Sequence, residues 1–151
     1  MRGIIWRFTK FESEDISKST WPKGIREHRE FSKGVKGFYD VIGVWVSVEN
    51  DDEPTYADYL SERVENLNNT FYKLKKIVIL PFAHLTNKLA SPQESKKMII
   101  AIGEKLKEKG FDVSYFTFGT HKRLLWEIPG QVGEASYFEF PYTGTKPEVK
   151  Q

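Results

Sequence analysis

Polar and apolar positions along the chain alternate between two patterns: short apolar runs closed by a breaker, and longer stretches with an apolar residue at every third or fourth place. The densest run is Ile77-Val78-Ile79-Leu80, which ends at Pro81. Four β-branched or leucine residues in succession predict a strand covered on both faces, and the proline predicts that the chain leaves the sheet there. His84 then stands just past a strand end, where open α/β sheets place their ligand crevices. A plain surface loop would present a histidine in the same way. Residues 3–9 predict a first strand and residues 38–49 a second, with Gly43 marking a bulge or a close backbone approach. Residues 50–54 are a turn cluster. Tyr56, Leu60, Val64, Leu67, Phe71 and Leu74 recur at spacings of four and three and predict a helix. Thr55 is its expected N-cap, Asp58 completes a weak capping box, and Lys73, Lys75 and Lys76 sit at the expected C-terminal end. Ser91-Pro92-Gln93-Glu94 opens a second helix that buries Met98, Ile99, Ile102 and Leu106 and stops at Gly110. Residues 111–118 read as a strand, interrupted by Gly119 and Thr120. Residues 122–128 and 135–142 read as a hairpin across the 129–133 turn. Residues 10–35 form an excursion or irregular edge hairpin. The order predicts a single α/β domain over residues 1–142, a mixed β-sheet with a central βαβ unit and helices packed on it, followed by a linker or tail over 143–151.

Composition narrows the function classes. A length of 151 residues is one ordinary domain, and 15% aromatic with 29% charged residues excludes disorder. The longest apolar run is too short to span a bilayer, and Arg7 interrupts the N-terminal one, so neither a membrane segment nor a signal peptide is expected, and a cytoplasmic location is. There is no cysteine, and His28, His84 and His121 are far apart, so no metal site and no cofactor are expected. A net charge of +2 is too small to argue for a nucleic-acid groove by itself.

Three polar groups stand at strand ends or turns: His84, Lys122 beside His121, and Glu134. A lysine and a glutamate can orient water, stabilise an oxyanion or anchor an amino group. With 23 Lys and Arg and 21 Asp and Glu in the chain, such a trio also arises readily from surface residues. No glycine-rich phosphate loop, nucleophile elbow or paired-carboxylate motif competes with it.

The segment IVILPFAHLTNKLASP, the helix ending in EKLKEKGFDV, the FGTHK strand and the downstream GEAS together resemble the archaeal-type N-terminal editing domain of threonyl-tRNA synthetase. The resemblance covers roughly residues 38–140. It implies the fold of D-aminoacyl-tRNA deacylases and a homodimer. It implies a hydrolase that deacylates Ser-tRNA(Thr) with help from the tRNA's own 2′-hydroxyl, joined to catalytic and anticodon-binding domains of a synthetase. By that similarity Lys122 positions the seryl group and the attacking water, Glu134 holds the substrate amino group or water, and His84 contacts the substrate end of the pocket. Pro81, Phe82, Ala83, Val48, Gly119 and His121 are the implied substrate-binding residues. A D-aminoacyl-tRNA deacylase is the runner-up activity, and a non-catalytic tRNA-binding or dimerisation module the alternative of another class. The chain departs from the family pattern in three places. It has Arg7-Phe8-Thr9 where His-Ser-Asp is usual, His121 where tyrosine is frequent, and Gln131 where a histidine often stands.

Overall fold

The computed structural model describes residues 1–19, 36–116 and 118–142. The strands are β1 Arg2–Lys18, β2 Lys36–Ser47, β3 Lys76–Pro81, β4 Asp112–Tyr115, β5 Thr120–Glu127 and β6 Ala135–Glu139, and the helices are α1 Tyr56–Leu67 and α2 Pro92–Glu108. The sheet runs in the order β4-β3-β2-β1-β5, with β6 also paired to β1. β2, β3 and β4 are parallel, and β1 is antiparallel to all its partners. The expected mixed sheet with its central βαβ unit is therefore present. It comes twice in succession, with α1 joining β2 to β3 and α2 joining β3 to β4.

The run that predicted a doubly covered strand divides as its alternation requires. Ile77 and Ile79 enter the core beneath the helices, with Leu60, Val64, Ile99, Ile102 and Leu106. Val78 and Leu80 enter a second core on the other face, with Phe8, Phe11, Trp45 and Phe116. Strands curling across that face close the second core. Phe11 of β1 meets Phe116 beyond β4 edge-on at 5.1 Å, and Trp126 of β5 meets Trp45 of β2 at 4.9 Å. Gly43 marks a close approach. Its pairing with Trp6 is in unbroken register, and a Cβ there would lie 2.3 Å from the Phe8 ring.

Several elements differ from the sequence expectation. The 122–128 and 135–142 segments do not form a hairpin with each other. β5 pairs with residues 10–18 of β1 and β6 with residues 2–6, because a 17-residue β1 offers one edge long enough for two strands. Residues 10–18 thus belong to β1 instead of an excursion. The rest of that stretch (20–35) lies outside the described residues, as do Thr117 and the expected tail at 143–151. α1 passes into a π turn, Asn68–Tyr72, whose wider winding shifts the phase of the apolar stripe. Tyr72 therefore turns inward, while Phe71 is 40% exposed. Thr55 makes no side-chain cap, since it has helical dihedrals of its own (φ −63°, ψ −18°). Asp58 instead bridges to Lys105 of α2 at 3.2 Å. The three lysines lie past the end of α1, with Lys73 in the left-handed region and Lys76 opening β3. Ser91, by contrast, caps α2 as expected, its hydroxyl accepting from the Glu94 amide at 3.2 Å.

Candidate active site

The parallel ladder between β2 and β3 continues one rung beyond Pro81, where the Phe82 amide donates to the Val46 carbonyl at 2.9 Å. The Ser47 hydroxyl donates to the Phe82 carbonyl, so both backbone groups of Phe82 are pinned to β2. Its ring packs on Trp45 at 5.2 Å and carries the His84 imidazole edge-on at 5.0 Å. Ala83 and His84 are exposed at the top of the loop. The return to α2 is pinned as firmly. The Asn50 amide donates to Lys88 O at 2.9 Å, the Ala90 amide to Val48 O at 3.0 Å, and the Thr86 hydroxyl to a Glu49 carboxylate oxygen at 2.6 Å. The PFAHL loop is thus fastened to β2 and to the 48–50 turn at both ends, although it carries no regular secondary structure.

Opposite the loop stands the start of β5, and the two enclose a cleft of about 570 Å³. Pro92 and Ser95 of α2 form its third wall, and Val46, Leu80 and Ile99 its apolar floor. The strand alternation of β5 turns Lys122 inward and leaves His121 exposed at the rim. The Lys122 ammonium donates to Thr120 Oγ1 at 2.6 Å and to Thr120 O at 3.4 Å, and lies 3.8 Å from Asp15 Oδ1. Its side chain is only 9% exposed. Burial lowers the ammonium's pKa below the ordinary lysine value, and Asp15 works against that fall. A partly desolvated ammonium with three donors can serve a developing oxyanion, a carbonyl oxygen or a water.

Of the residues singled out from the sequence, His84, Lys122, Pro81, Phe82, Ala83, Gly119 and His121 all line this cleft. Val48 is buried beneath the loop in the helix-side core. Glu134 sits on another turn. Its carboxylate accepts from the Gly130 and Gln131 amides at 2.6 and 3.0 Å, and its carbonyl accepts from the Arg7 amide. Arg7 and the Lys122 partner Asp15 are eight residues apart on β1, roughly 26 Å along a strand at about 3.3 Å per residue. The Arg7-Phe8-Thr9 corner faces the same distant seam, Arg7 bridging to Asp40 at 3.0 Å and Thr9 bonding Glu127. Sequence reasoning missed Asp15 and Thr120, the direct partners of Lys122. The signal was present as an inward carboxylate in the Phe11, Ser13, Asp15 alternation, but it needed the β1–β5 register to acquire meaning.

The chain is similar in sequence and fold to known proteins. The model of the archaea-specific editing domain of threonyl-tRNA synthetase matches residues 6–132. The threonine–tRNA ligase of Pyrococcus horikoshii is 34% identical over 150 residues, which is 96% of this chain and 24% of that protein. The threonine–tRNA ligase of Thermococcus gammatolerans is 32% identical over 114 residues, 74% of this chain and 18% of that protein. The chain thus spans about a quarter or less of the length of these relatives. Among solved structures, the c-Myc DNA unwinding element binding protein superposes with a TM-score of 0.69 at 12% identity, covering 94% of this chain and all of that one, a likeness of fold. With the family model spanning most of its length, its α/β architecture and the PFAHL loop included, this chain belongs to the archaea-specific editing domains of threonyl-tRNA synthetase.

Proposed function

We propose that the chain is a proofreading hydrolase that deacylates Ser-tRNA(Thr). Water adds to the seryl carbonyl, the ester bond to the terminal ribose breaks, and serine and tRNA with a free ribose hydroxyl are released. The observation that carries this reading is the partly desolvated Lys122 ammonium facing the pinned PFAHL loop across one cleft. Such an ammonium places a cation where negative charge develops on the carbonyl oxygen and where a water can be held. The loop 81–83 offers the terminal adenosine the backbone groups of Ala83 and the flank of Phe82, while His84 and His121 stand at the rim and Gly119 leaves the wall low beside them. The tRNA's own 2′-hydroxyl assists the attack in place of a protein nucleophile. In this reading Glu134 serves by fixing the 130–131 turn.

Selectivity is the physical task. Serine lacks one methyl of threonine, and such a difference gives a synthetic site only about 10–200-fold discrimination. A second pocket that admits the smaller side chain removes the error. Walls made of a pinned loop and a sheet suit it, because close-packed surfaces yield little to one extra methyl. The reading extends to a domain over residues 1–142 joined by a linker to the rest of a cytoplasmic synthetase, working as a homodimer on tRNA(Thr).

Single-turnover deacylation tests it. Ser-tRNA(Thr) is hydrolysed and Thr-tRNA(Thr) largely spared. Hydrolysis of a D-aminoacyl-tRNA in preference to both would transfer the chain to the chirality-checking class, and no hydrolysis of any of the three would sink the proposal.

A further inference from the structure

Asp15 was invisible as a site residue because it lies in the polar stretch that follows the first apolar run. In the fold it stands directly opposite Lys122 in the β1–β5 register, and Ser13 stands opposite Leu124. Directly opposed residues of an antiparallel pair share one side of the sheet, so Asp15 and Ser13 lie on the side where Lys122 and Leu124 line the cleft. The register shifts between Asp15 and Ser17, and such a bulge re-aims the side chains beside it. Asp15 Oδ1 accepts from the Thr120 hydroxyl at 3.1 Å and lies 3.8 Å from the Lys122 ammonium, which itself donates to that hydroxyl. The Asp15 side chain is 16% exposed, and its second oxygen is buried with no hydrogen-bond partner among the described residues, as is Ser13 Oγ.

We infer that Asp15 is a positioning residue of the deacylation site: through Thr120 and directly, it holds the Lys122 ammonium charged and aimed into the cleft. The inference rests on the proposed deacylase reading and adds to it a group that does not itself touch the substrate. Two features converge on it. The register puts the carboxylate opposite the lysine, and the shared Thr120 hydroxyl closes a three-membered polar network. Lys122 left alone in this cleft would lose its proton more readily, because burial disfavours the charged form and Asp15 is the group that counters it. Other titratable groups border the cleft. His84 comes from the loop after β3, His121 lies on the outer side of β5, and Lys96 of α2 sits 5.4 Å from the ring of Phe118. None of these adds a negative charge.

The experiment compares wild type, Asp15→Asn and Asp15→Glu in single-turnover deacylation of Ser-tRNA(Thr) between pH 6 and 10, about the range over which a perturbed lysine titrates. Asp15→Asn is expected to lose about tenfold or more at pH 7.5 and to shift the alkaline limb of the profile toward lower pH by about one unit. Asp15→Glu should recover part of the rate and return the limb toward its wild-type position. NMR titration of ¹⁵N-labelled lysine reads the same group without activity: the Lys122 signal should titrate at lower pH in Asp15→Asn than in wild type. If Asp15→Asn does not fold, by circular dichroism, Asp15→Glu and Asp15→Ser supply the comparison. A folded charge-removed variant with wild-type rate, profile and Lys122 titration overturns the role of Asp15. An inactive wild type overturns the deacylase reading instead, and the titration still decides whether Asp15 governs the lysine.

Discussion

Lys122 concentrates the chemistry of the cleft, and its replacement separates a working cation from a solvated one. Lys122→Met keeps most of the stem and removes the charge and three donors. The structure puts the ammonium, not the stem, at the centre of the polar network, so the fold should survive while deacylation drops by roughly 100-fold, the scale of one lost transition-state donor. A rate within about threefold of wild type, with the circular dichroism unchanged, would demote the residue. A second titratable side chain reports on stability. The Tyr72 hydroxyl donates to the Gly133 carbonyl at 2.5 Å, tying the π turn to the turn that holds Glu134. Burial pushes this phenol up to about 12 from its ordinary value of 10.0, against the opposing effect of the nearby Arg63 cation. A raised folded value means that the unfolded chain ionises first as pH rises. Stability attached to Tyr72 is thus whole below pH 10 and is lost between about 10 and 12, on the order of 2 kcal/mol in total. Tyr72→Phe should flatten that alkaline loss in urea unfolding curves and cost about 1 kcal/mol at neutral pH.

At the scale of elements, the functional part is a loop fastened from below. Glu49 does much of the fastening. It accepts from Thr86 just past the PFAHL segment, from the Met1 ammonium at 2.7 Å and from Arg2 at 3.3 Å. Burial drives the Glu49 carboxyl up, but the Met1 ammonium, Thr86 and Arg2 outweigh it and hold the group below its usual range. Asp52 shares the same ammonium, yet burial dominates there and its carboxyl is raised. With a depressed Glu49, its stabilisation is present above about pH 4.5 and fades as pH falls through the lower folded value. Glu49→Gln is expected to lower the unfolding free energy by about 2 kcal/mol at pH 7, the scale of hydrogen bonds to a charge, and the gap should narrow in acid. Chemical denaturation at pH 7 and pH 3.5 checks both halves. β2 offers a different kind of test. Gly43→Ala would drive a methyl into the Phe8 ring, and overpacking of this kind costs about 1–3 kcal/mol. A thermal midpoint unchanged from wild type would contradict that packing. The contrast between the two helix starts shows how far local signals reach. Ser91 caps α2 because the signal is complete within four residues, Pro92 included. Thr55 does not cap α1, because the chain is already helical there and Asp58 finds a better partner in Lys105.

On the scale of the whole molecule, one sheet serves two cores, a larger, mostly aliphatic one under the helices and an aromatic-rich one inside its curl, and the cleft lies where β3 and β5 flank them. If the proposed homodimer is the working form, sedimentation at micromolar concentration should give twice the 17.6 kDa chain mass, and a lone 17.6 kDa species would exclude it. Much of this was determined by the sequence alone. The Ile77–Leu80 run, Pro81, the α2 cap and the α1 stripe specify strands and helices through interactions within a few residues, and the PFAHL and FGTHK segments carry a resemblance to the family. What the tertiary structure decided involves residues far apart in the chain. β5 and β6 share the edge of β1 because β1 is longer than its apolar pattern, charged residues having extended it to Lys18. The π turn brings Tyr72 inward in place of Phe71, and the register places Asp15, eight residues along the strand from Arg7, beside a lysine more than a hundred positions later. Strand pairing is chosen by which edges remain free once the rest of the sheet is built, and a polar residue acquires its partner only when that choice is made. For that reason His84 and Lys122 could be singled out from the sequence, whereas the carboxylate that faces the lysine had to be found in the fold.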